Sequence, residues 1–152
     1  MKKFEFTGET KTISLFFRTA TLHRIRAVAE FGLVKIGDLG GWIEKEENLS
    51  HEGKAWVWGN AEVCGDAEVF SASHVLVIGA IGSRDDFTTF FRDKDNEITV
   101  KCGCFLGKID KFLEKVTQTH GDSKYALVYK AAVEVARLQI DLSGEAPKDA
   151  DE

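Results

Sequence analysis

The chain has 152 residues, of which 43% are hydrophobic and 30% charged, and its formal net charge at pH 7 is −5. That length is sufficient for one domain with a core of its own, and the composition excludes an intrinsically disordered protein. The acidic balance argues against a nucleic-acid-binding protein, because Lys and Arg side chains that neutralise phosphates supply much of the free energy of such binding.

Cysteine usage and hydropathy indicate a reducing, aqueous compartment. Cys64, Cys102 and Cys104 are an odd number without the spacing of a disulfide framework, and we recognise no signal peptide. The longest apolar stretch covers residues 75–81, far fewer than the ~20 residues of a membrane helix. We therefore expect a cytoplasmic protein that does not cross a membrane.

The N-terminal segment, residues 1–36, is predicted to form a β cap. Residues 3–6 and 12–17 have the composition of strands, with Gly8 at the turn between them. Residues 22–28 alternate as a further strand.

A six-residue repeat occupies residues 53–82, where G-K-A-W-V-W, G-N-A-E-V-C and G-D-A-E-V-F follow one another. Small residues recur in one phase and branched residues two places later. The two series are Ala55, Ala61, Ala67, Ser73, Gly79 and Val57, Val63, Val69, Val75, Ile81. A period of six would spread the valines around a helix, so it predicts a short left-handed parallel β-helix of about two coils over residues 37–82.

Residues 83–142 are predicted to form a hairpin followed by two helices. Residues 87–92 and 97–104 are the two strands, with Ile98, Val100, Cys102 and Cys104 on the buried face. The apolar spacing from residue 109 predicts a helix that ends at Gly121, and Asp122 or Ser123 caps a second helix that ends near Asp141. Residues 143–152 read as a disordered acidic tail. The predicted fold class is mainly β with C-terminal helices, α+β.

Several of these segments carry a family pattern. They are T-L-H-R-I-R-A at 21–27, G-D-L-G-G-W-I-E at 37–44, I-G-S-R at 81–84, G-C-F at 103–105 and T-H-G at 119–121. Together with the hexads, they resemble uncharacterised phage and prophage proteins with a hexapeptide-repeat left-handed β-helix and a C-terminal α+β module. The resemblance implies a mobile-element origin, a bacterial host cytoplasm and a chain with fewer hexads than its relatives. It implies no established activity.

The hexad type also occurs in acyltransferases that bind acyl-CoA between coils of neighbouring subunits and use a His as general base. His74 lies in the repeat and is the alternative catalytic residue, against a polar or packing role. Cys102 and Cys104 with His120 are open to interpretation as a metal site or as a nucleophile with its base. Because strand alternation places both thiols on the inward face, we interpret them as buried hydrophobes and expect no metal.

The binding candidates come from the hairpin edges, the helix junction and the repeat. We predict that the residues from the hairpin edges and the helix junction converge on one groove, namely Arg84, Arg92, His120, Tyr125 and Tyr129. Arg and Tyr are typical of binding sites because they combine contact area with directional hydrogen bonds. The simpler alternative is that the tyrosines are core residues and that the arginines are solvated or paired.

Two tryptophans give a second binding candidate. Trp56 and Trp58 flank Val57 and are predicted to point outward, where they favour self-association into a homo-oligomer.

We therefore predict a non-catalytic accessory binding protein without a cofactor. Its partner is a host protein or a small nucleotide-like ligand, and the phage resemblance suggests inhibition of a host defence system. Two alternatives stay open: an acyltransferase-like enzyme that uses acyl-CoA, and a structural or assembly protein.

Overall fold

The computed structural model describes residues 1–143, which form an α+β fold with two four-stranded sheets and two helices. The first sheet has the order β1-β2-β3-β4 and consists of Phe4–Ser14, Thr19–Ala27, Leu39–Ile43 and Glu62–Val63. The second has the order β5-β6-β7-β8 and consists of Val75–Ile81, Asp86–Arg92, Ile98–Cys102 and Phe105–Lys108. Helices α1 and α2 are Ile109–His120 and Lys124–Gln139, and short 3₁₀ turns cover Glu46–Asn48 and Ala72–His74.

The predicted left-handed parallel β-helix is wrong. The second sheet is antiparallel throughout, and the first is mixed, with β3 and β4 as its parallel pair. The chain reverses at the β5–β6 turn, where Gly82 has a φ of +81° and Asp85 a φ of +48°. Because of this reversal, residues 75–81 pair with the strand that follows them and do not stack on the hexads before them.

The hexad residues are nevertheless buried with the predicted period. Val57, Val63 and Val69 are each at most 1% exposed. The alanines two places before them are buried to the same degree. Within the described part of the chain, residues 1–143, parallel pairing is limited to Trp42–Ile43 with Glu62–Val63 and to a bridge between Leu49 and Val69. The six-residue period therefore indicates an inward face and not a complete coil.

The second sheet is buried on both faces, which makes it the middle layer of the molecule. Phe91 and Val75 pack into a core with the first sheet and the hexads. Phe90 and Val100 pack into a second core with α1 and α2. This double burial explains why β5 is apolar at consecutive positions and does not alternate.

The hairpin and the helices are confirmed. β6 pairs with β7 in antiparallel register, α1 ends at Gly121 with a φ of +57°, and Ser123 is the N-cap of α2. The apolar residues of α2 differ in exposure, since Tyr125 and Val135 are 42% and 46% exposed. Five neighbours form the buried face, namely Ala126, Tyr129, Ala132, Val133 and Ala136.

The N-terminal strands are longer than predicted. Residues 4–6 and 12–14 belong to one strand, β1, which continues through an irregularity between Phe6 and Thr10, and residues 15–17 lie in the turn that follows it. Gly8, with a φ of +96°, takes up the bulge and does not end the strand.

This architecture does not test the predicted segment boundaries or the predicted C-terminal tail. The boundaries between residues 1–36, 37–82 and 83–142 stay predictions, and the tail predicted for 143–152 lies outside the described residues except at Ser143. Within residues 1–143, no helix has both the length and the apolarity that a bilayer crossing requires.

Gly41 provides a test of the packing between β3 and the hexads. A Cβ at this position would lie 2.4 Å from the Trp58 carbonyl oxygen and 2.7 Å from that of Ala61. Because backbone atoms must then move, Gly41→Ala is expected to lower the free energy of unfolding by ~1–3 kcal/mol. The measurement is the urea midpoint at an unchanged m-value.

Gly59→Ala is the matched control, since a Cβ there would meet no atom within 4 Å. Its midpoint should equal or exceed that of the wild type. Equal midpoints for the two variants would contradict the close approach of β3 to this segment.

Candidate functional site

A cavity of about 180 Å³ lies at one end of the second sheet, and we call it the ring pocket. It lies between the β5–β6 turn, the β7–β8 turn and helix α1. Four of its fourteen lining residues are phenylalanine or tyrosine, and charged side chains lie beside them. The aromatic residues are Phe16, Phe105, Phe112 and Tyr129, and the polar residues include Arg84, Asp86, Lys115 and His120.

The aromatic walls contact one another. Phe112 lies at the centre of the group, with its ring centroid 5.4 Å from that of Phe105 and 5.7 Å from that of Tyr129. Phe16 is 61% exposed, and the Lys115 ammonium lies 4.7 Å from its ring centroid. This cation–π contact makes the wall of the pocket at Phe16 both apolar and positively charged.

The first half of the chain supplies Phe16 through a backbone contact. The N–H of Phe16, in the turn between β1 and β2, donates to the carbonyl oxygen of Cys104 at 3.0 Å. Gly103 has a φ of +58°, which permits the tight β7–β8 turn that presents this carbonyl. The pocket therefore includes residues from both halves of the sequence.

Tyr129 reaches the pocket because residue 82 is a glycine. A Cβ at Gly82 would lie 1.8 Å from the Tyr129 hydroxyl oxygen, so any other residue would displace the ring. Burial, reinforced by the neighbouring Cys102, raises the pKa of Tyr129 to about 12. The hydroxyl is therefore protonated at neutral pH and can donate a hydrogen bond.

The arginine of the pocket differs from the other arginines of the molecule. Five of the six arginines form ion pairs with carboxylates: Arg18, Arg24, Arg26, Arg92 and Arg137. Arg84 has no carboxylate within 4.0 Å among residues 1–143, and neither has Lys115. Two cations without acidic partners thus border a ring-sized cavity.

His120 contacts two of the other predicted binding residues. Its ring lies 5.7 Å from the rings of both Tyr129 and Tyr125, at interplanar angles of 30° and 56°. Arg84, His120 and Tyr129 line the ring pocket, and Tyr125 contacts it through His120 from an exposed position.

Arg92 does not belong to this group. It donates to the Glu68 carbonyl and to Asn96 Oδ1, both at 2.9 Å, and its guanidinium lies 4.6 Å from the centroid of the Phe70 ring. These contacts attach the β6–β7 turn to the last hexad. Arg92 is therefore a structural residue here.

The cysteines lie in the pocket wall. Cys102 and Cys104 are half-buried and both line the cavity; Cys102 packs on the inward face with Ile98 and Val100 as predicted, whereas the prediction that Cys104 shares this strand face is wrong. The reason is that β7 ends at Cys102 and Cys104 belongs to the turn. The Cys102 thiol accepts a hydrogen bond from Thr88 at 3.4 Å. Among residues 1–143, no group of three or more His, Cys, Asp or Glu side chains could hold a metal ion.

The two tryptophans of the hexads differ in exposure. Trp58 is 52% exposed as predicted, whereas Trp56 is 4% exposed and packs against Phe31. The prediction for Trp56 is wrong because residues 51–60 form no strand, so alternation does not apply. A Cβ on Gly40 would lie 2.7 Å from Trp56, which shows how closely β3 covers it.

His74, the alternative catalytic residue, is 1% exposed. Its Nδ1 accepts a hydrogen bond from the Phe70 N–H at 3.3 Å. Burial and the nearby Arg92 lower its pKa, so the imidazole is neutral at pH 7. A general base must come within hydrogen-bond reach of its substrate, and this ring is enclosed by protein.

The sequence pointed to part of the ring pocket and missed the rest. The G-C-F motif at 103–105 contains Phe105, but Phe16 and Lys115 were not identified. Lys115 lies on the polar side of an amphipathic helix, where its residue type is ordinary. Phe16 reaches the pocket through a turn distant in sequence, which no local pattern reports.

No protein-family model matches the chain, and no curated protein matches it in sequence. The phage origin and the role in host defence, which follow from the resemblance alone, find no support in these comparisons.

The raised pKa of Tyr129 is testable, because Tyr125 and Tyr129 are the two tyrosines of the chain. After a rapid pH jump, the absorbance at 295 nm should show a tyrosinate step centred near pH 12. Since the unfolded chain loses this proton near pH 10 and the folded chain later, stability should fall as the pH rises from 10 to 12.

Tyr129→Phe should remove the late step, and Tyr125→Phe, the matched control, should retain it. Persistence of the late step in Tyr129→Phe would show that this hydroxyl is not the buried one.

Proposed function

We propose that this protein is a non-catalytic binding protein that captures a small nucleotide-like anion. The heteroaromatic ring of the ligand enters the ring pocket, and its negatively charged group lies at the mouth beside Arg84 and Lys115. The observation that carries this proposal is the position of Arg84, an arginine without an acidic partner among residues 1–143, at the edge of an aromatic cavity.

The size of the cavity supports a single ring. An apolar protein cavity of ~150 Å³ is known to admit benzene, and the ring pocket measures about 180 Å³. Phe105 and Tyr129 offer aromatic surfaces against which a flat ring packs well. Phe16, more than half exposed at the mouth, can cover the ring from outside.

The charges support an anionic ligand. An arginine presents five N–H donors in a planar fork that matches a phosphate, and the lysine adds a point charge. Within residues 1–143 these donors are paired with no carboxylate, so an anion gains them there without breaking an ion pair. The neutral Tyr129 hydroxyl is a further donor, toward a ring nitrogen or oxygen.

The thiols of the pocket support binding over catalysis. A nucleophilic cysteine requires a base within hydrogen-bond reach. The Cys102 thiol is in contact with the hydroxyls of Thr88 and Tyr129, and neither hydroxyl is a base at neutral pH. These groups shape the wall of a receptor.

The test is a binding titration with the 5′-monophosphates of adenosine, guanosine, cytidine and uridine. At least one should bind the wild type, and Arg84→Ala should weaken its binding roughly 10- to 100-fold, because a hydrogen bond to a charged group contributes ~1.5–3 kcal/mol. Calorimetry, supported by ligand-observed NMR for weak complexes, gives the dissociation constants.

Arg137→Ala is the matched control, since Arg137 is an arginine of α2 that pairs with Glu134 outside the pocket. It should leave binding unchanged. Equal losses in the two variants, or no binding of any of the four nucleotides, would overturn the proposed function.

A further inference from the structure

We infer that the ligand is a dinucleotide, whose second phosphate-bearing unit occupies a polar groove beside the ring pocket. This inference rests on the proposed function and names the class of ligand more closely. The groove has a volume of about 460 Å³ and lies between the two sheets. Lys11, Trp42, Asn60, Glu62 and Lys101 form its walls.

The groove and the ring pocket meet at the end of the second sheet. Asp86 and Gly103 line both cavities, the first at the start of β6 and the second in the β7–β8 turn. Ser14 lines the groove and Phe16 lines the pocket, two residues apart in the β1–β2 turn. A bound molecule can therefore extend from one cavity into the other across this edge.

Lys101 is the strongest indication that the groove binds an acceptor-rich group. Its side chain is 7% exposed, and its ammonium donates to Glu62 Oε1 at 2.7 Å. No second acceptor for this ammonium exists among residues 1–143, although an ammonium carries three donors. A buried cation with unused N–H groups favours an anionic partner in the adjoining space.

Lys11 adds a second cation to the same wall. Its ammonium pairs with Glu62 Oε2 and lies 4.4 Å from the centroid of the Trp42 ring. Burial raises the pKa of Glu62, but hydrogen bonds from Lys101 and Lys11 outweigh it and hold the pKa below its usual value. Two ammoniums thus share one carboxylate on this wall, and the second carboxylate of the groove, that of Asp86, lies at the edge shared with the ring pocket.

The combined volume of the two cavities favours a ligand longer than a mononucleotide. Ligand sites commonly measure ~300–1,000 Å³, and the ring pocket by itself is smaller than that range. With the groove added, the volume of the site falls within this range.

Asp86 lies between the two groups of cations. Its carboxylate can accept a hydrogen bond from a sugar hydroxyl there, and it repels a phosphate. The two phosphates of a dinucleotide would then lie on either side of it.

The experiment compares each 5′-mononucleotide with the 5′-phosphorylated homodinucleotide of the same base by calorimetry. The dinucleotide should bind the wild type about tenfold more tightly, which is the gain expected from one further charged hydrogen bond. Lys11→Ala should abolish this gain and leave mononucleotide binding within about twofold of the wild type. Lys111→Ala, on the outer face of α1 where it pairs with Glu114, is the control and should change neither.

The outcomes separate the two proposals. Mononucleotide binding that depends on Arg84, with no gain for the dinucleotide, would overturn the dinucleotide inference and leave the proposed function standing. An equal loss of both ligands in Lys11→Ala would also overturn the inference. A 12-nucleotide single-stranded RNA that binds more tightly than the dinucleotide would replace the free dinucleotide with an RNA strand as the ligand. Absence of binding by every probe would overturn both proposals.

Discussion

Burial of the second sheet on both of its faces is the constraint on which the rest of the structure depends. Neighbouring residues of β6 belong to different cores, since Phe91 packs with the first sheet and Phe90 with the helices. A shift of one residue would exchange the two faces and place each side chain in the wrong layer. The register of this sheet therefore determines which of its residues face each outer layer. It also determines where its strands end.

The candidate site follows from those strand ends. The β5–β6 and β7–β8 turns lie at one end of the sheet, and each face of that end borders a different cavity. On the helix face, Phe105, Phe112 and Tyr129 give an aromatic pocket; on the other face, Lys101 and Glu62 give a polar groove. Two unlike cavities that share an edge are suited to a ligand with an aromatic and an anionic part.

Local patterns predicted the elements whose partners lie nearby in sequence. The β6–β7 hairpin, α1 with Gly121 at its end, and the inward period of Val57, Val63 and Val69 are visible in short windows. The sheet arrangement is not, because residues 75–81 have the same apolar pattern in a parallel coil as in an antiparallel strand. Which of the two arrangements forms depends on the reversal at Gly82.

The site was predictable only in part for the same reason: Arg84, His120 and Tyr129 converge as predicted, whereas Phe16 depends on a long-range contact.

Amide chemical-shift mapping with the nucleotide that binds most tightly tests the central claim, that the end of the second sheet is the binding site. The largest shifts should occur at residues 82–86 and 102–105, in the two turns that border the ring pocket. Unchanged signals in these turns, with the largest shifts instead around the cavity of about 290 Å³ beside Arg18 and Lys108, would contradict it.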